Sequence, residues 1–454
     1  MARVLVIGLD ALSPRLVFDV FRDRLPRLAG LGARGVSGPM QSTVPPVTIP
    51  AWTAMVTGLD PGALGIYGFH DRADRSYGRR RLASSLHVGA APVWTLLSRA
   101  GFRCRVLGVP QTYPPKPVRG VLVAGPPLPL ACADLTYPPE ARPTVDAEAG
   151  GYVPDITDFR HRARDEIRAD ILEMTARRFR LANTWAGRDD WDFMMLVEMG
   201  PDRMQHSFWD EALLTPEAVA ARADNPLRDY YVTLDQHLGA LLDCLRPDDT
   251  VLVVSDHGAQ ARVGGFAIND WLAQEGYLAL RERAATPTAL EPDRVDWRRT
   301  RAWADGGYAA RLYVNVAGRE PDGVVPGDAV PALVAEIRAK LGALQTPGGR
   351  PVATEAFEPR AVYAAANGVP PELIAYLDGL GLRAVGSVGH ESLFVRDNDT
   401  GPDAANHAAH GVFILADGSG PRPAPDAISI YDVAPTILGR FGLAPQAGMR
   451  GRVL

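Results

Sequence analysis

Asp192-Phe-Met-Met-Leu-Val-Glu-Met199, followed at once by Gly200-Pro-Asp202-Arg-Met-Gln-His206, decides how this chain folds. A short, nearly continuous apolar run reads as a strand buried on both faces. It ends by delivering an acid and a histidine four residues apart. Residues 228–245 read as a helix, and Thr250-Val-Leu-Val-Val-Ser255 as a second buried strand that ends at Asp256-His257-Gly258. Strand, helix and strand in alternation imply an α/β fold, with a mostly parallel central sheet sandwiched between helices. In such sheets ligands gather beyond the carboxyl ends of the strands. Asp10, Asp202, Asp256 and His257 all fall there.

Working outward, residues 3–9 form another short aliphatic run ending at Asp10, and residues 13–31 carry a helical pattern. Gly30-Leu-Gly32-Ala-Arg-Gly35 has the spacing of a dinucleotide fingerprint. It follows a helix pattern and precedes a strand, the reverse of the order that fingerprint needs. Thr43-Val-Pro-Pro-Val-Thr48-Ile-Pro-Ala-Trp-Thr-Ala-Met-Val-Thr57-Gly58 opens a helix, since Pro50 suits a first turn. A helix start offers free N–H groups and a positive dipole end to an anion. Thr48 there is either an N-cap or a nucleophile. Residues 59–69 form a loop able to cover a substrate. Residues 94–100 read as helix, 103–109 as strand, 110–155 as a Pro- and Gly-rich irregular insertion, and 160–187 as a charged amphipathic outer helix. Residues 275–400 suggest a smaller inserted cap lobe within one catalytic domain spanning 1–454. A strand at 412–416 and a helix at 431–442 close the chain.

The composition is that of an ordinary globular protein: 454 residues, 46% apolar, 22% charged. The net charge of −5 gives no electrostatic case for binding a nucleic-acid polymer. Lys116 and Lys340 are the only lysines and neither sits in a glycine-rich turn, so no P-loop is present. Cys104, Cys132 and Cys244 are far apart, with no metal-ligand or disulfide spacing, which fits a reducing compartment. The run at Val4–Leu9 is too short for a signal-peptide core or a bilayer span, and no later run reaches 18 apolar residues. A cytoplasmic protein without a membrane partner is the expectation.

Asp202 and His206, spaced i and i+4, share one face of a helical turn and can grip one cation. Asp256 and His257 at a strand mouth are costly unless paired or metal-bound. Asp10, taken alone, reads better as a cap of the helix that follows it. Asp and His together suit zinc, manganese or iron. Two such ions would clamp a phosphoryl group and activate a hydroxyl, and Thr48 would then be that hydroxyl.

These residues resemble the alkaline phosphatase superfamily, in its type I phosphodiesterase/nucleotide pyrophosphatase branch, nearest to bacterial and archaeal predicted phosphohydrolases or phosphomutases. The resemblance is carried by Gly8-Leu-Asp10, Pro46-Val-Thr48-Ile-Pro-Ala-Trp52 with Thr57-Gly58, Asp202 with His206, Ser255-Asp256-His257-Gly258, and Asn406-His407. Val93-Trp94-Thr-Leu-Leu, Val109-Pro-Gln-Thr-Tyr-Pro114, Asn269-Asp-Trp-Leu, Gly318-Arg-Glu-Pro321 and Tyr431-Asp-Val-Ala-Pro-Thr-Ile-Leu438 extend it almost end to end, in order. The resemblance implies two divalent metal ions, Zn2+ first and Mn2+ as the alternative. One would be held by Asp202, His206 and His407, the other by Asp10, Asp256, His257 and the Thr48 oxygen. His407 is preferred to its rival His410 on the family pattern alone. His70, His87, His161, His237 and His390 have no slot in that pattern. Two departures concern substrate contacts: Ala51 stands where nucleotide pyrophosphatases place an Asn, and Leu64-Gly65 replaces a His-Gly.

The expected activity is metal-dependent cleavage of a small-molecule phosphodiester or pyrophosphate through a phosphothreonine intermediate. The alternatives are a phosphomonoesterase or phosphomutase of the same superfamily, and a non-catalytic metal-binding partner or sensor. A sulfatase is disfavoured, because Thr48-Ile-Pro-Ala lacks the Cys or Ser those enzymes modify. Specificity is expected to reside in residues 110–155 and 275–400.

Overall fold

Residues 3–129, 134–221, 224–282 and 284–454 are described by a computed structural model. Cys132 and the first two residues lie outside them, whereas Cys104 and Cys244 are free thiols. The chain divides into two compact units. The first comprises Met1–Leu64, Ala83–Ala259 and His407–Leu454, and the second Gly65–Leu82 and Gln260–Asn406. No helix among the described residues is long and apolar enough to cross a membrane.

The first unit is built on a nine-stranded mixed sheet flanked by helices. In chain order its strands are β1 (Val4–Leu9), β2 (Val36–Gln41), β3 (Cys104–Val109), β4 (Gly120–Ala124), β5 (Thr136–Tyr137), β6 (Phe193–Glu198), β7 (Thr250–Val254), β8 (His410–Ala416) and β9 (Ile428–Ser429). Across the sheet they run β9-β2-β8-β7-β1-β6-β3-β4-β5. Parallel pairing joins β7, β1, β6, β3 and β4, with Gly8 opposite both Val197 and Val254. Strands β1, β6 and β7 are buried at every position, and their sequences are apolar except for Glu198 at the end of β6 and Thr250 at the start of β7. Strand β8 is antiparallel to both β7 and β2.

Three helices carry or support the site: α1 (Thr48–Thr57), α2 (Arg164–Ala186) and α3 (Gly200–Phe208). Helix α1 is buried along its whole length, and Gly58 terminates it in the left-handed conformation at φ 69°. Helix α2 is less solvated than an outer layer would be, because Ile167, Ile171, Met174, Arg178 and Phe179 form a buried face. Two expectations are corrected. Residues 13–31 are not one helix but three short segments, Leu16–Val20, Arg22–Arg24 and Pro26–Gly32. Pro26 lacks an N–H to continue a helix and instead starts a new one. The stretch 110–155 is not wholly irregular. It contributes β4 and β5 to the sheet and a helix, Arg142–Ala149.

Gly8 shows how tightly sheet and helix meet. A Cβ there would fall 2.5 Å from Trp52 Cη2 and 2.7 Å from Val197 Cγ2. The Gly8→Ala variant is expected to lose about 1–3 kcal/mol of stability by overpacking. Urea unfolding checks this, and an unchanged midpoint would refute the tight packing of Trp52 on β1.

The second unit has its own hydrophobic core, including Trp271, Trp303, Leu312, Tyr313, Ile337 and Leu341. A four-stranded antiparallel sheet orders Ala302–Asp305, Ala310–Val314, Leu373–Tyr376 and Glu355–Phe357. Helices Ile268–Gln274 and Val330–Gly342, a three-stranded sheet ordering Leu382–Val385, Gly264–Ala267 and Phe394–Val395, and a hairpin, His70–Arg72 with Arg80–Leu82, also belong to it. This unit is wider than the 275–400 lobe read from sequence, since it takes in the hairpin and starts at Gln260.

Candidate functional site

Three neighbouring parallel strands end in acids at one edge of the sheet of the first unit. Asp10 follows β1, Asp202 and His206 lie on α3 just beyond β6, and Asp256 and His257 follow β7. His407 reaches the same edge from the opposite direction. Because β8 is antiparallel to β7, the residues before β8 lie where the residues after β7 lie. His407 itself sits on a short strand, Ala405–Ala408. The alternative His410 is exposed at the first position of β8. Thr48 follows β2 and is the first residue of α1. Val47 holds the capping position without a side-chain bond, so the Thr48 hydroxyl is not used as a helix cap.

The donor atoms fall into two buried groups, Asp202/His206/His407 and Asp10/Asp256/His257, with the atoms of each group within 4.8 Å of one another. In the first, His206 Nε2 lies 3.1 Å from Asp202 Oδ1 and His407 Nε2 3.8 Å from it. In the second, His257 Nε2 lies 3.2 Å from Asp256 Oδ2. The two groups adjoin, with the His257 and His407 rings stacked at 3.7 Å. Thr48 Oγ1 is 3.3 Å from His257 Nε2.

The surrounding backbone fixes each donor. His257 Nδ1 donates to the Gly258 carbonyl at 3.0 Å and His407 Nδ1 to the Pro46 carbonyl at 2.7 Å. With the proton on Nδ1, each imidazole turns its Nε2 lone pair into the site. Burial lowers the His257 pKa to about 4 and pushes that of His407 well below its ordinary value, the latter helped by His257 and His206. Both rings are therefore neutral near pH 7. Trp52 Nε1 donates to Asp10 Oδ2 at 2.6 Å, the Ala11 N–H donates to Asp256 Oδ1 at 3.2 Å, and Ser42 Oγ donates to the Asp256 carbonyl. Ala11 takes a left-handed conformation, φ 57°, to present that N–H. Ala51 is buried within α1 and brings no polar group.

Three carboxylates with at most 2% exposure crowd this volume. Burial, and then the charge of Asp202, holds Asp10 well above the ordinary carboxylate range; burial, and then Asp10, does the same to Asp256. Burial also opposes ionisation of Asp202, but His206 and Arg203 outweigh it and hold its pKa well below normal. Asp10 Oδ1 and Asp256 Oδ2 have no hydrogen-bond partner among the described residues. Buried carboxylate oxygens without donors are costly, and cations would relieve them. Neutral imidazoles and carboxylates are the donor chemistry of zinc and manganese. The residues fit two divalent ions.

Arg203 and Asp155 are absent from the sequence reading. Arg203 donates to Asp202 Oδ2 and, in fork fashion, to both oxygens of Asp155 at 3.1 and 2.6 Å. An arginine beside a candidate ligand was the available signal, but its loop partner lies 48 residues away.

Residues 4–412 match the model of a family described as Type I phosphodiesterase / nucleotide pyrophosphatase. No curated protein matches the sequence. In fold the chain is similar to phosphonoacetate hydrolase from Sinorhizobium meliloti 1021, solved in complex with phosphonoformate. The TM-score is 0.60 at 16% identity, over 95% of this chain and 94% of that one.

Proposed function

Because the chain belongs to the type I phosphodiesterase/nucleotide pyrophosphatase family, and so is a hydrolase of phosphate ester bonds, we propose that it cleaves a phosphodiester or pyrophosphate through a covalent intermediate on Thr48. The observation that carries this reading is the Thr48 hydroxyl. It stands at the start of α1, is spared from capping, and lies 3.3 Å from His257 Nε2 beside two buried Asp/His groups.

In this reading Asp202, His206 and His407 hold one divalent ion, and Asp10, Asp256, His257 and the Thr48 oxygen the other, with Zn2+ preferred and Mn2+ the alternative. Such ions, when bound, supply Lewis-acid polarisation and a lowered hydroxyl pKa. Thr48 Oγ1 loses its proton to solvent and forms a bond to phosphorus while the bond to the leaving ester oxygen breaks. The N–H groups of Thr48 and Ile49, which the helix leaves without acceptors, face developing charge on the phosphoryl oxygens. Water then cleaves the Thr48–phosphorus bond and restores the hydroxyl. Substrate choice is assigned to residues 110–155 and 275–400.

Turnover of a nitrophenyl phosphodiester beside its monoester tests the reading. Diester cleavage supports it. Monoester cleavage alone would move the protein to a phosphatase or mutase, and two bound metals with no turnover of any phosphate ester would favour a metal-binding partner or sensor.

His407 and His410 separate sharply. His407→Ala is expected to weaken one of two metal ions by more than about a hundredfold, beyond what loss of a supporting contact costs. His410→Ala should leave both ions in place. Metal titration of the apoprotein checks this, and the opposite pattern would transfer the ligand to His410.

A further inference from the structure

A buried ionic chain in the first unit leads to Asp202 and stops there. It starts at Glu198, fully buried at the end of β6, which pairs with Arg178 of α2 at 3.0 Å. Glu198 Oε1 also accepts from the Gly200 N–H at 2.8 Å, which fixes the first residue of α3. Arg178 Nη2 reaches across to the carbonyls of Val153 and Pro154, at 3.3 and 2.7 Å. Those two residues lead directly into Asp155. Asp155 grips the Arg203 guanidinium with both oxygens, and Arg203 uses its remaining Nη1 on Asp202 Oδ2. Both Asp155 and Arg203 are largely buried, with side chains 19% and 13% exposed. Phe159, from the same loop as Asp155, lies under the guanidinium at 4.8 Å and beside the His206 ring at 6.3 Å.

A carboxylate ligand can use one oxygen or both, and it can rotate between them. Here the guanidinium occupies Oδ2, which leaves Oδ1 facing His206 and His407. The fork of an arginine suits this task, because a planar guanidinium can satisfy two carboxylates at fixed angles. Supporting contacts of this kind orient metal ligands and tune their affinity.

We propose that Asp155 and Arg203 are positioning residues that lock Asp202 as a one-oxygen ligand of the Asp202/His206/His407 group. The proposal rests on that group being a metal site. Arg203 fixes which oxygen of Asp202 is offered. Asp155 fixes Arg203 and neutralises it, so that its charge does not repel a cation close by. Arg178, holding the loop carbonyls, connects the arrangement to the end of β6.

Competition between the apoprotein and a chromophoric chelator for Zn2+ tests it, with the affinities of the two ions read separately. Wild type should bind two ions. Arg203→Met should weaken one of them by about 10- to 100-fold and leave the other unchanged, and Asp155→Asn should weaken the same one by about 10-fold. Arg203→Lys, which keeps the charge and loses the fork, should fall between wild type and Arg203→Met. Both ions bound with wild-type affinity in Arg203→Met and Asp155→Asn would overturn the proposal. Equal weakening of both ions would also overturn it, since that would mark a general structural role. Should Arg203→Met not fold, the near-isosteric Asp155→Asn decides on the same criterion. A wild-type protein that binds no Zn2+ or Mn2+ would instead refute the metal site itself.

Discussion

Replacing Thr48 with alanine is expected to lower turnover of a phosphodiester by about 10⁴-fold or more, the scale on which removal of a covalent nucleophile acts. The same change should leave the Asp202/His206/His407 group with its metal affinity intact, because the Pro46 carbonyl orients His407 and His206 lies against Asp202. Stability should change little. The hydroxyl caps no helix, and its hydrogen-bond contact among the described residues is with His257 Nε2. Thr48→Ser, which retains an oxygen at the start of α1, should recover part of the rate. Steady-state kinetics with metal quantified in the same samples checks the rates and the metal content, and urea unfolding checks the stability. Full activity in Thr48→Ala would remove the nucleophile from the account.

Stripping metal with a chelator is expected to be nearly as severe. Lewis-acid assistance to phosphoryl transfer is worth several kcal/mol of barrier, which corresponds to a loss of roughly 10³-fold or more. A second consequence needs no substrate. The oxygens Asp10 Oδ1 and Asp256 Oδ2 are buried beside Asp202 without a hydrogen-bond donor among the described residues. Ions bound to them should stabilise the fold by about 3 kcal/mol at a hundredfold excess over Kd. Thermal unfolding of apoprotein and of protein reloaded with Zn2+ or Mn2+ reads this directly. A melting temperature indifferent to both ions would contradict the two-site reading.

Much of the framework is legible from local sequence because the parallel strands are buried on both faces. The runs at β1, β6 and β7 are almost wholly apolar, and the acids Asp10, Asp202 and Asp256 mark their carboxyl ends. His407 is harder to find. It precedes a strand, and only the antiparallel direction of β8, a tertiary fact, brings it to the same edge. The pairing of Arg203 with Asp155 is invisible for a related reason, since one partner lies in a loop without periodicity. The helix pattern over 13–31 misleads because apolar spacing persists through Pro26, where the backbone cannot continue. Strand β4 carries a short apolar run, Val121-Leu-Val123, that is hidden among the turn residues of 110–155.

The stereochemical course at phosphorus tests the account most directly. A nitrophenyl diester made chiral at phosphorus by one sulfur substitution would be hydrolysed in water labelled with heavy oxygen. Each in-line displacement inverts the phosphorus, so attack by Thr48 followed by attack of water predicts net retention of configuration. Net inversion would mean a single direct attack by water, and Thr48 would then be no nucleophile.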